Sequence, residues 1–151
     1  MITLEEVTQR NIHDVLALEV ADHQKLTYPR SNAYSMAEGF FPSDDDAVWM
    51  RAICSDGVPI GFMMTSESPE DGDYFLWRMM IDKRFQGKGF GAKAMRLLIQ
   101  RIRNNGNPRT LILSHLKDNT EAGNFYMSLG FSYTGNELGD GDLEMALHFD
   151  F

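Results

Sequence analysis

The chain is poor in cysteine: Cys54 stands alone among 151 residues. One thiol can neither close an internal disulfide nor build a multi-cysteine metal site. No apolar run is long enough to span a bilayer. Residues 1–10 are acidic and mixed, unlike a secretory leader, so the expected compartment is the cytoplasm. Bases are scarce beside acids, 14 against 22, for a formal charge of −8. That balance argues against a generic nucleic-acid binder and a basic membrane-surface protein, and permits a cationic small-molecule partner. His13, His23, His115 and His148 show no metal-binding spacing, so no metal is expected. The chain has no internal repeat and no low-complexity tract.

What remains is ordinary globular material. Hydrophobic residues make up 43% and charged residues 24%, enough to bury a core in one domain over residues 1–151. The ten Met and ten Phe are expected in that core, with Cys54 as a small core residue. The charges are unevenly spread. Residues 78–109 hold nine bases and one acid, Asp82, and carry +8; the rest, with five bases against 21 acids, carries −16. Such a window is either a solvated basic helix or a polyanion site.

Strands and helices alternate along the chain. Residues 2–7 read as a strand and 11–21 as a helix, with Ile12, Val15, Leu16 and Leu18 apolar. A short helix is expected at 35–40 and a loop at the acidic run 44–46. Residues 47–54 and 59–65 read as strands joined by the turn chemistry of Ser55-Asp56-Gly57, with a polar loop after them at 66–73. An apolar strand at 74–81, a helix at 89–104, a strand at 110–115 and a helix at 119–129 follow. Residues 131–137 and 142–149 read as a closing hairpin across 138–141. The order predicts a mixed α/β (α+β) fold rather than an all-parallel one.

The most informative stretch runs from Met79 to Ala92, where a strand enters a glycine-rich turn that opens a basic helix. Glycines allow close approach and positive φ, and unpaired amides at a helix start favour an anion. A flexible turn is the bland alternative. The P-loop pattern fails, because Lys88 is followed by Gly89 and position 82 is Asp. Gly87, Gly89 and Ala92 fit the dinucleotide pattern G-x-G-x-x-A, with Asp118 as the acid further on. Only 59 residues follow Ala92, however, and they end in a hairpin. That leaves a dinucleotide-dependent oxidoreductase as a distant rival.

Gln86-Gly87-Lys88-Gly89-Phe90-Gly91 resembles the Q/R-x-x-G-x-G/A motif of the GNAT superfamily of acetyl-CoA-dependent N-acetyltransferases. The segment from Asn119 to Phe131 resembles the family's second signature, N-x-x-A-x-x-F-Y-x-x-x-G-F. One helix and one strand separate the two motifs, and the resemblance covers most of the chain. It implies a mostly antiparallel, splayed central sheet flanked by helices, acetyl-CoA as co-substrate, and a homodimer as one allowed assembly.

The resemblance also implies residue roles. The backbone of Met79, Met80 and Ile81 would bond the pantetheine arm, with an oxyanion-stabilising amide near Met80. The amides of Gln86, Gly87, Lys88, Gly89, Phe90, Gly91 and Ala92 would hold the pyrophosphate, with added charge from Lys88, Lys93 and Arg84. Asn119 would touch the cofactor, or serve as a helix N-cap. Tyr126 would protonate the departing thiolate as general acid, although its place on a stripe with Ala122 and Leu129 also suits a core tyrosine. Some family members carry a glutamate early in the cofactor strand, where residues 74–78 here hold no acid. The base is therefore left among Glu38, Glu67, Asp73 and a water chain.

Three blocks, 77–89, 32–38 and 59–63, are similar to bacterial spermine/spermidine (diamine) N-acetyltransferases. They point to a small polycation as acceptor, with Glu38, Trp77, Glu19 and Asp22 as candidate substrate contacts. The alternatives within the class are an aminoglycoside, an amino acid or a protein amine. A non-catalytic acyl-CoA-binding sensor is the alternative outside it.

Overall fold

The computed structural model describes residues 1–26, 28, 30–43, 45–139 and 141–150. Asp44 of the acidic run and Asp140 of the closing turn lie outside the described residues. Seven strands form one sheet in the order β1-β2-β3-β4-β5-β7-β6. The strands are β1 (Ile2–Glu5), β2 (Ala47–Ser55), β3 (Val58–Ser68), β4 (Asp73–Ile81), β5 (Thr110–His115), β6 (Ser132–Leu138) and β7 (Asp142–His148). The helices are α1 (Ile12–Leu16), α2 (Asn32–Phe40), α3 (Phe90–Arg103) and α4 (Thr120–Ser128). Every neighbouring pair is antiparallel except β4 and β5. This is the mixed, mostly antiparallel architecture expected. The β2–β3 turn has φ +49° at Asp56 and +84° at Gly57. Two left-handed central residues suit the twist of a tight hairpin, which is why Asp-Gly marked it. Among the described residues, no helix is long and apolar enough to cross a membrane.

Four local expectations are corrected. The helix expected over 11–21 stops at Leu16. The Glu19 amide donates to Asp82 Oδ2 at 2.9 Å, and the Lys83 amide donates to the Glu19 carbonyl at 2.8 Å. These distant partners draw the chain out of the helix. β1 ends at Glu5, two residues early. β3 runs on to Ser68 although its end is polar. Its Glu67 is 4% exposed, takes both Arg101 nitrogens at 2.6 and 3.0 Å, and accepts the Thr65 hydroxyl. Finally, Phe40 and Phe41 are 80% and 79% exposed and lie outside the core.

The sheet has a core on each face. α3 and α4 cover one, with Met95, Leu98 and Ile102 packed on Met63, Leu76 and Leu113. α1 and α2 serve the other, where Val15 and Met36 join Phe62, Met64 and Met80. β4 contributes to both by alternation, and a bulge resets its parity. Met64 pairs Arg78 and Thr65 pairs Leu76, so Trp77 is the extra residue. Before the bulge Tyr74 and Leu76 face the α3 side; after it Met79 and Ile81 do, while Trp77 and Met80 face α2.

One contact makes β4 exacting. A Cβ on Gly61 of β3 would fall on the Met80 carbonyl oxygen. Backbone cannot swing away as a side chain can. Gly61→Ala is expected to destabilise the fold by about 2 kcal/mol or more, measured by urea denaturation. Wild-type stability in this variant would show that β3 and β4 separate freely here.

Candidate active site

The parallel β4–β5 ladder joins residues 73–75 to 110–112 and goes no further. Beyond it residues 76–81 and 113–115 have no ladder between them, leaving an open V in mid-sheet. The Asp82 amide donates to the Ile60 carbonyl of β3 at 2.8 Å. Antiparallel alternation then turns the backbone of Met80 toward β3 and the amides of its neighbours, Met79 and Ile81, toward the V. The cofactor strand therefore presents free backbone donors to the slot.

At the end of β4 the chain turns sharply. Asp82 caps a 3-10 turn at Lys83–Phe85; its Oδ1 accepts the Arg84 amide at 3.0 Å and Nε at 2.8 Å. Burial works to raise this carboxyl, but the Arg84 and Glu19 hydrogen bonds and the Arg84 charge outweigh it and hold it below its ordinary value. The Gln86 side chain points inward, donating to the Ile81 carbonyl at 2.8 Å and to Gln24 at 2.7 Å. Its side chain thus shapes the loop, leaving backbone to face a ligand. Gly87 and Gly89 have φ of +76° and +79°, and a Cβ on either would meet nothing within 4 Å. They are glycine for conformation, not packing.

α3 begins at Phe90, and its first internal bond comes from the Lys93 amide to Gly89. The amides of residues 87–92 find no acceptor among the described residues. Six open donors at a helix start, with exposed Lys88 and Lys93 in no ion pair among the described residues, suit a pyrophosphate. Arg84 is instead committed to Asp82.

α4 carries the second set. Asn119 caps it, its Oδ1 accepting the Ala122 amide at 3.2 Å, while Nδ2 is free among the described residues. Tyr126 packs against the α3-side core beside Phe125 and Phe131. Its hydroxyl makes no hydrogen bond among the described residues. Burial pushes the phenol well above its ordinary value, and Tyr28 adds to the rise. The two phenols are therefore within electrostatic reach, although Tyr28 belongs to the α2-side core. Tyr126 thus stands on the α3 side of the sheet and Tyr28 on the α2 side.

A fixed contact holds α4 in place. His115 Nδ1 donates to the Leu116 carbonyl at 2.7 Å, so Nε2 accepts from the Tyr133 hydroxyl at 2.9 Å. A Cβ on Gly123 would overlap that hydroxyl and lie 3.2 Å from Nε2. Gly123→Ala is expected to cost about 1 to 2 kcal/mol by breaking this bond, and to weaken acetyl-CoA binding as α4 shifts. The Tyr133→Phe background should absorb most of the loss in a double-mutant cycle; equal cost in both backgrounds would assign it elsewhere.

The substrate-side candidates separate. Trp77 is the bulge residue, half-buried against the α2-side core. Glu38 pairs with Arg78 Nη2 at 2.8 Å, while Arg78 Nη1 donates to the Trp77 carbonyl at 2.9 Å. Glu19 and Asp22 form an exposed cluster with Lys25 and Lys83. Glu67, Asp73 and Glu38 are each paired with an arginine, Arg101, Arg109 and Arg78; Asp73 stands at the closed end of the V, and Glu38 is the acid held to the part of β4 that borders its opening. Cys54 is buried, and burial lifts its thiol to about 12, so it is inert. No metal-holding group occurs among the described residues. Sequence reading gave no role to Tyr28, Asn32, Ser35, Arg78 or Asp82; all but Tyr28 lie in the blocks 32–38 and 77–89, but what each touches depends on distant packing.

Residues 12–131 match the model of the acetyltransferase (GNAT) family. The chain belongs to this family. Acetyl-CoA is its co-substrate, and the open amides and unzipped β4 fit that molecule. The acetyltransferase is 29% identical over 140 residues to the spermine/spermidine N(1)-acetyltransferase of Bacillus subtilis strain 168, spanning 89% of this chain and 90% of that one. Its fold matches the spermidine N-acetyltransferase of Vibrio cholerae, solved with CoA and spermine, at TM-score 0.76 and 16% identity, covering 97% and 95%. It also matches the ribosomal-protein-S18-alanine N-acetyltransferase of Escherichia coli at TM-score 0.72 and 18% identity, covering 100% and 96%.

Proposed function

We propose that this acetyltransferase moves an acetyl group from acetyl-CoA to a primary amine of a small polycation, spermidine or spermine, by direct attack in a ternary complex. The observation that carries direct transfer is the two-sided slot: the pyrophosphate loop and Tyr126 serve it from the α3 face, and Tyr28, Trp77 and Glu38 lie on the α2 face. Cofactor and acceptor can then occupy opposite faces and meet at the thioester, which makes attack effectively intramolecular. The amide of Met79 or Ile81 steadies the oxyanion, and Tyr126 protonates the departing sulfur. Burial keeps that phenol protonated through neutral pH.

The polyamine reading is supported by the Bacillus subtilis relative and by the acid excess outside residues 78–109, which attracts a flexible polycation. The test is thiol release from acetyl-CoA with a panel of amines. Release with spermidine or spermine at low concentration is expected, falling as salt rises. Release only with an aminoglycoside, amino acid or peptide amine would overturn the acceptor class.

A further inference from the structure

The α2 side of the slot buries three side-chain atoms with no hydrogen-bond partner among the described residues: the Tyr28 hydroxyl, Asn32 Oδ1 and Ser35 Oγ. An unsatisfied buried polar group costs about 1 to 3 kcal/mol and is rare in a folded chain. Three together form a buried polar cluster with hydrogen-bonding capacity left over. Asn32 and Ser35 are 1% and 0% exposed. The Asn32 amide is oriented by its own nitrogen, which donates to the Val15 carbonyl at 2.9 Å and lies 3.7 Å from Met80 Sδ. Its oxygen is therefore a fixed, free acceptor.

These groups form a series. Asn32, Ser35 and Glu38 follow one another at three-residue spacing, so α2 presents them along one face. Glu38, at the outer end, is 36% exposed and held by Arg78. Tyr28, at the inner end, packs with Trp77 and Met80. It feels the Arg78 charge, neighbours the Ser35 hydroxyl, and lies within electrostatic reach of Tyr126. The series thus runs from the reaction slot to water.

We propose that the Tyr28 hydroxyl receives the acceptor nitrogen, and that Tyr28, Ser35 and Glu38 form the proton exit for acetyl transfer. The proposal rests on the amine-acetylation reading above. An alkylammonium must lose two protons to become an amide nitrogen. The first passes to the Tyr28 oxygen as the Tyr28 proton moves, through a water held by Asn32 Oδ1, to Ser35. The Ser35 proton moves through a second water to the Glu38 carboxylate, one turn further along α2, and thence to solvent. The neutral nitrogen then attacks the thioester carbon, forming the C–N bond. The C–S bond breaks, the sulfur takes the Tyr126 proton, and the second nitrogen proton restores Tyr126. Acetyl-CoA and an ammonium thus give an amide, a free thiol and one released proton. Burial raises the Tyr28 phenol to about 12, so it hands protons on as a neutral group rather than serving as an anionic base.

The test compares wild type, Tyr28→Phe and Ser35→Ala with two amines at neutral pH. Spermidine arrives protonated, while trifluoroethylamine arrives largely neutral and bypasses the first proton loss. In both variants the ratio of the spermidine rate to the trifluoroethylamine rate is expected to fall about 30-fold or more, in kcat, with acetyl-CoA affinity retained. An unchanged ratio overturns the exit, whether both rates fall together, as in simple misfolding, or neither does. A wild type that acetylates trifluoroethylamine but not spermidine overturns the polyamine reading alone, and the same ratio is then read with benzylamine as the basic partner.

Discussion

Replacing Tyr126 by Phe is expected to lower the acetylation rate about a hundred- to a thousand-fold while leaving acetyl-CoA affinity within about twofold, since the hydroxyl bonds nothing in the protein. The ring stays, and with it the packing on Phe125 and Phe131. The hydroxyl removed sits in desolvated surroundings without a protein partner, so its loss should leave stability equal or slightly raised. A falling rate, steady affinity and undiminished stability together identify an acid acting late in the reaction; a core tyrosine would show the reverse. The wild-type rate should rise with pH as the amine loses its proton. It should show no alkaline fall from this phenol below about pH 10, the ordinary tyrosine value, because burial moves the phenol upward. Undiminished turnover in Tyr126→Phe would remove the residue from the chemistry.

The parts of this fold that were legible in the sequence are those whose cause is local. Asp56-Gly57 announced its hairpin because both residues tolerate positive φ. The β5 strand at Thr110–His115 has the expected bounds because its alternation is strict. Gly87 and Gly89 announced the loop, because a left-handed backbone there leaves few other residues. What stayed hidden has distant causes. α1 ends where it does because Asp82, 63 residues away, takes the Glu19 amide. β3 keeps its polar end because Arg101 of α3 neutralises Glu67. The bulge at Trp77 carries no glycine or proline to mark it, yet it decides which β4 side chains face each core. Glu38 was legible as an acid near the slot, but not its pairing with Arg78, which depends on how α2 crosses β4. Tyr28 and Ser35 are unremarkable letters until burial removes their water.

The other large effect should come from Asp82→Asn, expected to cost about 2 to 3 kcal/mol at neutral pH. The carboxyl is 2% exposed, and its two oxygens accept the Glu19 amide, the Arg84 amide and Arg84 Nε. Asn keeps one acceptor but turns an NH₂ toward a donor already in place, either the Glu19 amide or the Arg84 side, and it removes the charge that Arg84 answers. Both halves of the site should suffer, because Asp82 ties the segment after α1 to the start of the glycine loop. Acetyl-CoA affinity and the acceptor KM should weaken together. The folded carboxyl lies below its ordinary value, so its contribution is complete above the unfolded carboxyl's pKa of about 3.9 and is lost as pH falls through the lower folded value. Urea denaturation should therefore show a constant gap between wild type and variant from pH 7 to about 5 that narrows below about 4. A gap that stays the same throughout would mean that the amide's geometry, and not the carboxylate charge, sets the cost.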